Sequence, residues 1–240
     1  MIVQLLGNDP QDIIRPQIMS NHQFNQQNPP LILAVDTSSA CAAFALARGE
    51  TLLASIKTDA PIPHSKTFFN LLSALLQTAQ VSLPEVDAFA AATGPGSFTG
   101  LRVGLSAIKG LSHTLGKPAI GVNSLDALAL ASKVTGKVLV LINAGREEAY
   151  AGLRLIEAGW IPETLGEDVV APVANTHEVF SQFFQSDSLT ILKYGFNKEV
   201  IQGTAEEIAF CAAKILIQGR DFDLHPHYIR PSDAEIKNKD

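Results

Sequence analysis

A glycine-rich turn between an apolar run and a helix-forming stretch constrains this chain more than any other feature. It reads Gly94-Pro95-Gly96-Ser97-Phe98-Thr99-Gly100-Leu101-Arg102-Val103-Gly104. Ala88 to Thr93 before it reads as a buried strand, and Leu101 to Leu115 after it as a helix. That order gathers unpaired N–H groups at one point, beside the positive end of the helix dipole. Such a turn either cradles an anion or admits another backbone at close range. Three familiar cradles fail on spacing. No Lys-Ser/Thr pair follows Gly100, Ser97 lacks glycines two residues to either side, and the glycine intervals miss the dinucleotide fingerprint. Gly94, Gly96, Ser97, Thr99 and Arg102 are therefore read as a structural turn. Gly100, Gly104 and Ala107 recur at helical spacing, and a glycine inside a helix costs about 1 kcal/mol relative to alanine. A face that carries two of them needs close approach, by another part of the chain or by a partner.

The rest of the chain sets the frame. With 240 residues there is room for one large domain or two lobes, and 46% hydrophobic against 18% charged residues is a globular balance. The net charge of −6 and the absence of a Lys/Arg cluster argue against nucleic-acid binding by this chain alone. Apolar runs are too short for a membrane helix. Asp9 and Asp12 interrupt the start, where a basic stretch and an apolar core would mark a secretory signal. Cys41 and Cys211 lie far apart in apolar patterns and read as buried free thiols. A cytoplasmic protein is the expectation.

Residues 1–30, rich in Gln, Asn and Pro, read as a disordered tail. A first α/β lobe is expected over 31–116. Leu31–Val35 is a near-continuous apolar run, as in a strand buried on both faces. Cys41–Ala47 and Leu52–Lys57 follow as strands, and Lys66–Gln80 as a helix whose apolar face is Phe68, Leu71, Leu72, Leu75, Leu76 and Ala79. A second lobe is expected over 117–240. It comprises a strand Pro118–Val122, a helix Leu125–Lys133 capped by Ser124, strands Val138–Asn143 and Ala149–Ile156, an irregular stretch 157–174, a helix Asn175–Phe184 and a strand Leu189–Tyr194. Thr204-x-x-Glu207 has the form of a capping box opening a last helix.

Candidate chemistry is sparse. Asp36-Thr37-Ser38 ends the first strand. A carboxylate and hydroxyls there either hold a hydrated cation or phosphate, or satisfy the N–H groups of a local turn. The six histidines form no metal-binding pair, so no metal site is expected, and no catalytic set emerges.

Four segments together resemble one family: Leu33-Ala34-Val35-Asp36-Thr37-Ser38, the Gly94–Gly104 stretch, Gly121-Val122-Asn123-Ser124-Leu125 and His227-Tyr228-Ile229-Arg230. The chain looks like a member of the TsaB family of tRNA threonylcarbamoyladenosine (t6A) biosynthesis, also called glycoprotease-like, from Leu31 to Lys237. The resemblance implies a two-lobed actin/sugar-kinase-like (ASKHA) α/β fold, each lobe a mixed sheet with flanking helices. It implies a scaffold subunit, without robust catalysis of its own, that pairs with the catalytic subunit TsaD and the ATPase TsaE. The pair would transfer a threonylcarbamoyl group to adenosine 37 of tRNAs reading ANN codons, touching tRNA only through the complex. The contact it implies runs along the two first-lobe helices, at Phe68, Leu72, Leu75, Gly100, Gly104, Ala107, Ile108 and Leu111. A homodimer through the same surface is compatible with it. No cofactor of its own is expected, with Asp36, Thr37 and Ser38 as a degenerate phosphate loop and ATP or ADP placed at the joint of the complex. The departures agree with a non-catalytic role: His64 stands before the long helix, but Phe68 occupies the position four residues on, and the loop Asp36-Thr37-Ser38-Ser39 lacks the glycine of an actin-like phosphate loop. An actin-like ATPase or small-molecule kinase acting through Asp36 is the competing reading, and a peptidase a remote one.

Overall fold

The computed structural model describes residues 24–58, 63–159, 161–183, 189–196 and 203–230. The expected tail falls mostly outside them. Two sheets organise the chain. The first has the strand order β3-β2-β1-β4-β5, from β1 (Leu31–Asp36), β2 (Ala43–Arg48), β3 (Thr51–Lys57), β4 (Ala88–Gly94) and β5 (Ala119–Asn123). β1 to β3 form an antiparallel meander, and β4 and β5 add in parallel beyond β1. Every residue of β1 and β4 is buried, as the unbroken apolar runs required of central strands covered on both faces.

Helices supply the cover. α1 (His64–Ala79) packs on β2 and β3 through Phe68, Leu72 and Leu75, the apolar stripe at i, i+4 and i+7. α2 (Phe98–Leu115) follows the glycine turn, runs beside α1 and covers β4, β1 and β5. Each helix ends on a left-handed residue, Gln80 for α1 and Gly116 for α2.

α3 (Ser124–Ala131) leads to the second sheet, of order β8-β7-β6-β9, built from β6 (Gly136–Gly145), β7 (Glu148–Ile156), β8 (Glu163–Pro172) and β9 (Leu189–Tyr194). A short helix, α4 (Thr176–Val179), lies between two 3-10 turns, 173–175 and 181–183, where a longer helix was expected. α5 (Ala205–Ile217) closes the described helices.

Both sheets mix parallel and antiparallel pairs and carry flanking helices, as the fold expectation required. A division at residue 116 does not follow the sheets, however. β5 pairs with β4, and α5 packs on β1, β2 and β4, so the chain returns to the first sheet after building the second. The stretch 157–174 holds β8, an edge strand in which Gly166, at φ +81°, and the terminal Pro172 are tolerated because only one side pairs.

Candidate functional site

The glycine turn packs against the loop that leaves β1. A Cβ on Gly100 would run into the carbonyl oxygen of Thr37, and one on Gly104 into the Thr37 hydroxyl. A Cβ on Gly96 would lie 2.8 Å from the Ser38 Cβ. The contact is reinforced by hydrogen bonds: Thr37 Oγ1 donates to the Gly100 carbonyl at 2.8 Å, and Ser97 N–H donates to the Ser38 carbonyl at 2.6 Å. Ser97 also caps α2, its hydroxyl accepting from Gly100 N–H at 3.3 Å. The turn is thus a cradle for backbone.

This corrects six of the expected partner contacts. Phe68, Leu72, Leu75, Gly100, Gly104 and Ile108 are buried in the chain's own interior, and Ala107 and Leu111 are half-buried against the same core. The outward sides of the two helices carry other residues. Phe69 of α1 is 62% exposed, and Gly110 of α2 faces open space, with no described residue beyond its own helix turn within 4 Å of an added Cβ. No contact among the described residues accounts for Gly110.

A cleft of about 470 Å³ separates the two sheets. Ser38, Ser39, Gly96 and Ser97 line one wall, and Asn143, Ala144, Gly145 and Tyr150 the other. A hollow of similar size adjoins it where α1 and α2 begin, lined by His64, Thr99, Gly100 and Val103. His64 Nε2 lies 2.8 Å from the Ser39 carbonyl, and its enclosed Nδ1 has no hydrogen-bond partner among the described residues.

Of the expected phosphate residues, Ser38 alone lines the cleft. Asp36 is buried with both oxygens engaged: Oδ1 accepts from Ser38 N–H (2.9 Å) and Oγ (2.6 Å), and Oδ2 from Thr204 N–H (2.7 Å) and Oγ1 (2.9 Å). Asp36 therefore ties the start of α5 to the end of β1. Thr204, expected to cap α5 from its side chain, donates its hydroxyl to Asp36 instead. Ser124, likewise, begins α3 while Asn123 caps it, accepting from Leu125 N–H at 2.8 Å. No group of three or more His, Cys, Asp or Glu side chains able to hold a metal occurs among the described residues.

The joint between the sheets holds a charge cluster that sequence reading missed. Arg154 of β7, fully buried, donates to Asp126 of α3 and to both oxygens of Asp168 of β8, at 2.7 and 2.9 Å. Asn123 Nδ2 donates to Asp168 at 2.7 Å, and His227 Nε2 stands 3.3 Å from it. Burial pushes the Asp126 carboxyl up, outweighing Arg154. Burial also acts to raise Asp168, but hydrogen bonds from His227, Arg154 and Asn123 overcome it and hold that carboxyl well below the usual range. The one signal was a charge inside an apolar strand, at Arg154 in Ala-Gly-Leu-Arg-Leu-Ile. Cys41 and Cys211 are free and buried, as expected. No helix among the described residues is long and apolar enough to cross a membrane.

Known proteins share this architecture. The Pseudomonas aeruginosa protein YeaZ superposes with a TM-score of 0.67 at 23% identity, covering 83% of this chain and 99% of that one. The Bacillus subtilis tRNA threonylcarbamoyladenosine biosynthesis protein TsaB is 26% identical over 222 residues, 86% of this chain and 96% of that protein. An uncharacterized Mycobacterium leprae protein is 36% identical over 125 residues, half of this chain but 34% of its own length, so the chain spans only part of that relative. The family model described as TsaD, tRNA N6-adenosine threonylcarbamoyltransferase, matches residues 58–211. The chain belongs to this threonylcarbamoyltransferase family, and over 86% of its length it is similar to the Bacillus subtilis TsaB protein.

Proposed function

We propose that this chain is a non-catalytic subunit of the machinery that forms t6A on tRNA. It pairs with a TsaD-type catalytic subunit through the outer sides of α1 and α2. TsaE joins the pair, and the complex transfers a threonylcarbamoyl group to adenosine 37 of tRNAs reading ANN codons. The observation that carries this reading is the division of labour on the two helices. Their inner sides are filled by the chain's own β1 loop and core, whereas Phe69 touches the Phe68 ring edge-on yet stays largely exposed, and Gly110 meets nothing among the described residues. A large exposed aromatic is the kind of residue that anchors a protein interface. A helix glycine over open space permits close approach by a second helix.

A scaffold role also fits the chemistry. Asp36, the one carboxylate placed like a phosphate-loop acid, is saturated by Ser38 and Thr204. In this reading ATP or ADP sits at the joint with the partner rather than in this chain's own cleft. The test is reconstitution. t6A formation by the catalytic relative and TsaE should fall to background without this chain and return when it is added. Formation that proceeds equally well without it contradicts the proposal.

A further inference from the structure

Among the described residues beyond α5 there is no helix or strand, yet residues 221–230 are fixed at many points. Phe222 and Leu224 are buried in the first-sheet core. The Asp223 carbonyl accepts from Gly121 N–H at 2.5 Å, and His227 N–H donates to the Thr93 carbonyl at 2.8 Å, which lays the segment along β5 and β4. Its last side chains reach the other way. His227 meets Asp168 on β8. Arg230 donates to the Ala144 carbonyl at 3.0 Å, pairs with Glu148 and lies 5.7 Å from the centre of the Tyr150 ring. Between these ends, Tyr228 packs on Phe98 at 4.9 Å, and the Arg102 guanidinium lies 3.8 Å from the centre of the same Phe98 ring.

These contacts straddle the cleft. Ala144 and Tyr150 belong to one wall, and Phe98 follows Ser97 of the other. A segment rooted in the core of one sheet and bonded to the far wall is a tie across the opening. We infer that residues 221–230 form a latch that holds the cleft walls at a fixed separation, with Arg230 as its closing contact. Through Tyr228 on Phe98, the latch also couples opening of the cleft to the first turn of α2. Arg230 suits the task because one planar guanidinium serves a carboxylate, a carbonyl and an aromatic ring together.

Hydrogen–deuterium exchange on the full-length chain tests the latch without any partner, so its outcome is separate from that of the proposed function. In Arg230→Ala, amides over 96–100 and 143–150 should exchange at least about tenfold faster, while those of β1 and residues 208–213 of α5 keep their wild-type rates. Arg230→Lys, which keeps the charge but loses the fork, should lie between. Glu148→Gln provides a milder break of the same contact and should shift the same two stretches to a smaller extent. Unchanged rates in both stretches overturn the latch. So does a rise spread evenly over the chain, or one confined to 143–150 in every variant.

Discussion

Two glycines of one helix, six residues apart, are used in opposite ways. Gly104 faces inward, where a side chain would collide with Thr37, whereas Gly110 faces outward over open space. The first is explained by the fold and the second is not. A helix glycine lowers stability wherever it stands, so the one without an internal reason points outside the chain. The same contrast separates Phe68, sealed under the sheet and 4.9 Å from Phe44 in an edge-on contact, from its neighbour Phe69, largely in water. Interior contacts should therefore govern stability, and outer residues should govern association.

The contrast can be broken from the inside first. Asp168→Ala removes the carboxylate that holds Arg154 on two sides and should cost about 3 kcal/mol or more at pH 7, read by urea unfolding. The sign of its pH dependence follows from the depressed carboxyl. Its stabilisation is complete above the unfolded carboxylate pKa of about 3.9 and is lost as pH falls toward the lower folded value. Wild type and variant should therefore converge in stability below about pH 4. A gap that stays constant with pH would show that the aspartate acts through packing alone. Next in size, Gly100→Ala drives a methyl into the Thr37 carbonyl and should cost about 3 kcal/mol, the upper part of the overpacking range. Smallest is Gly110→Ala, which meets nothing and should stabilise the isolated chain by about 1 kcal/mol through helix propensity. A loss of stability at Gly110 would place that position inside the fold and erase the contrast.

Sequence reading recovered what periodicity encodes and missed what tertiary partners decide. β1, β4 and α1 were legible because an apolar run and a 3.6-residue stripe each allow one burial geometry. The glycine spacing of α2 showed that something comes close, but not from which side. The inward stripe is also the apolar one, so assigning the interface to Phe68, Leu72, Leu75, Gly104 and Ile108 selected core residues. β8 was hidden because Gly166 and Pro172 look like loop punctuation, and an edge strand accepts both. Thr204 marks a helix start, as its pattern suggested, yet its hydroxyl goes to Asp36, 168 residues away in the chain. The charge cluster left one trace, Arg154 in an apolar strand, while its partners come from α3, β5, β8 and the segment after α5.

The most direct test of the account is a calorimetric titration of the purified TsaD-type subunit with wild type, Phe69→Ala and Gly110→Leu, each checked for its unfolding temperature. The account predicts that both variants melt within a few degrees of wild type and bind at least about tenfold more weakly, a loss of about 1.4 kcal/mol. Wild-type affinity in both folded variants would contradict it, and would move the partner surface away from the outer sides of α1 and α2.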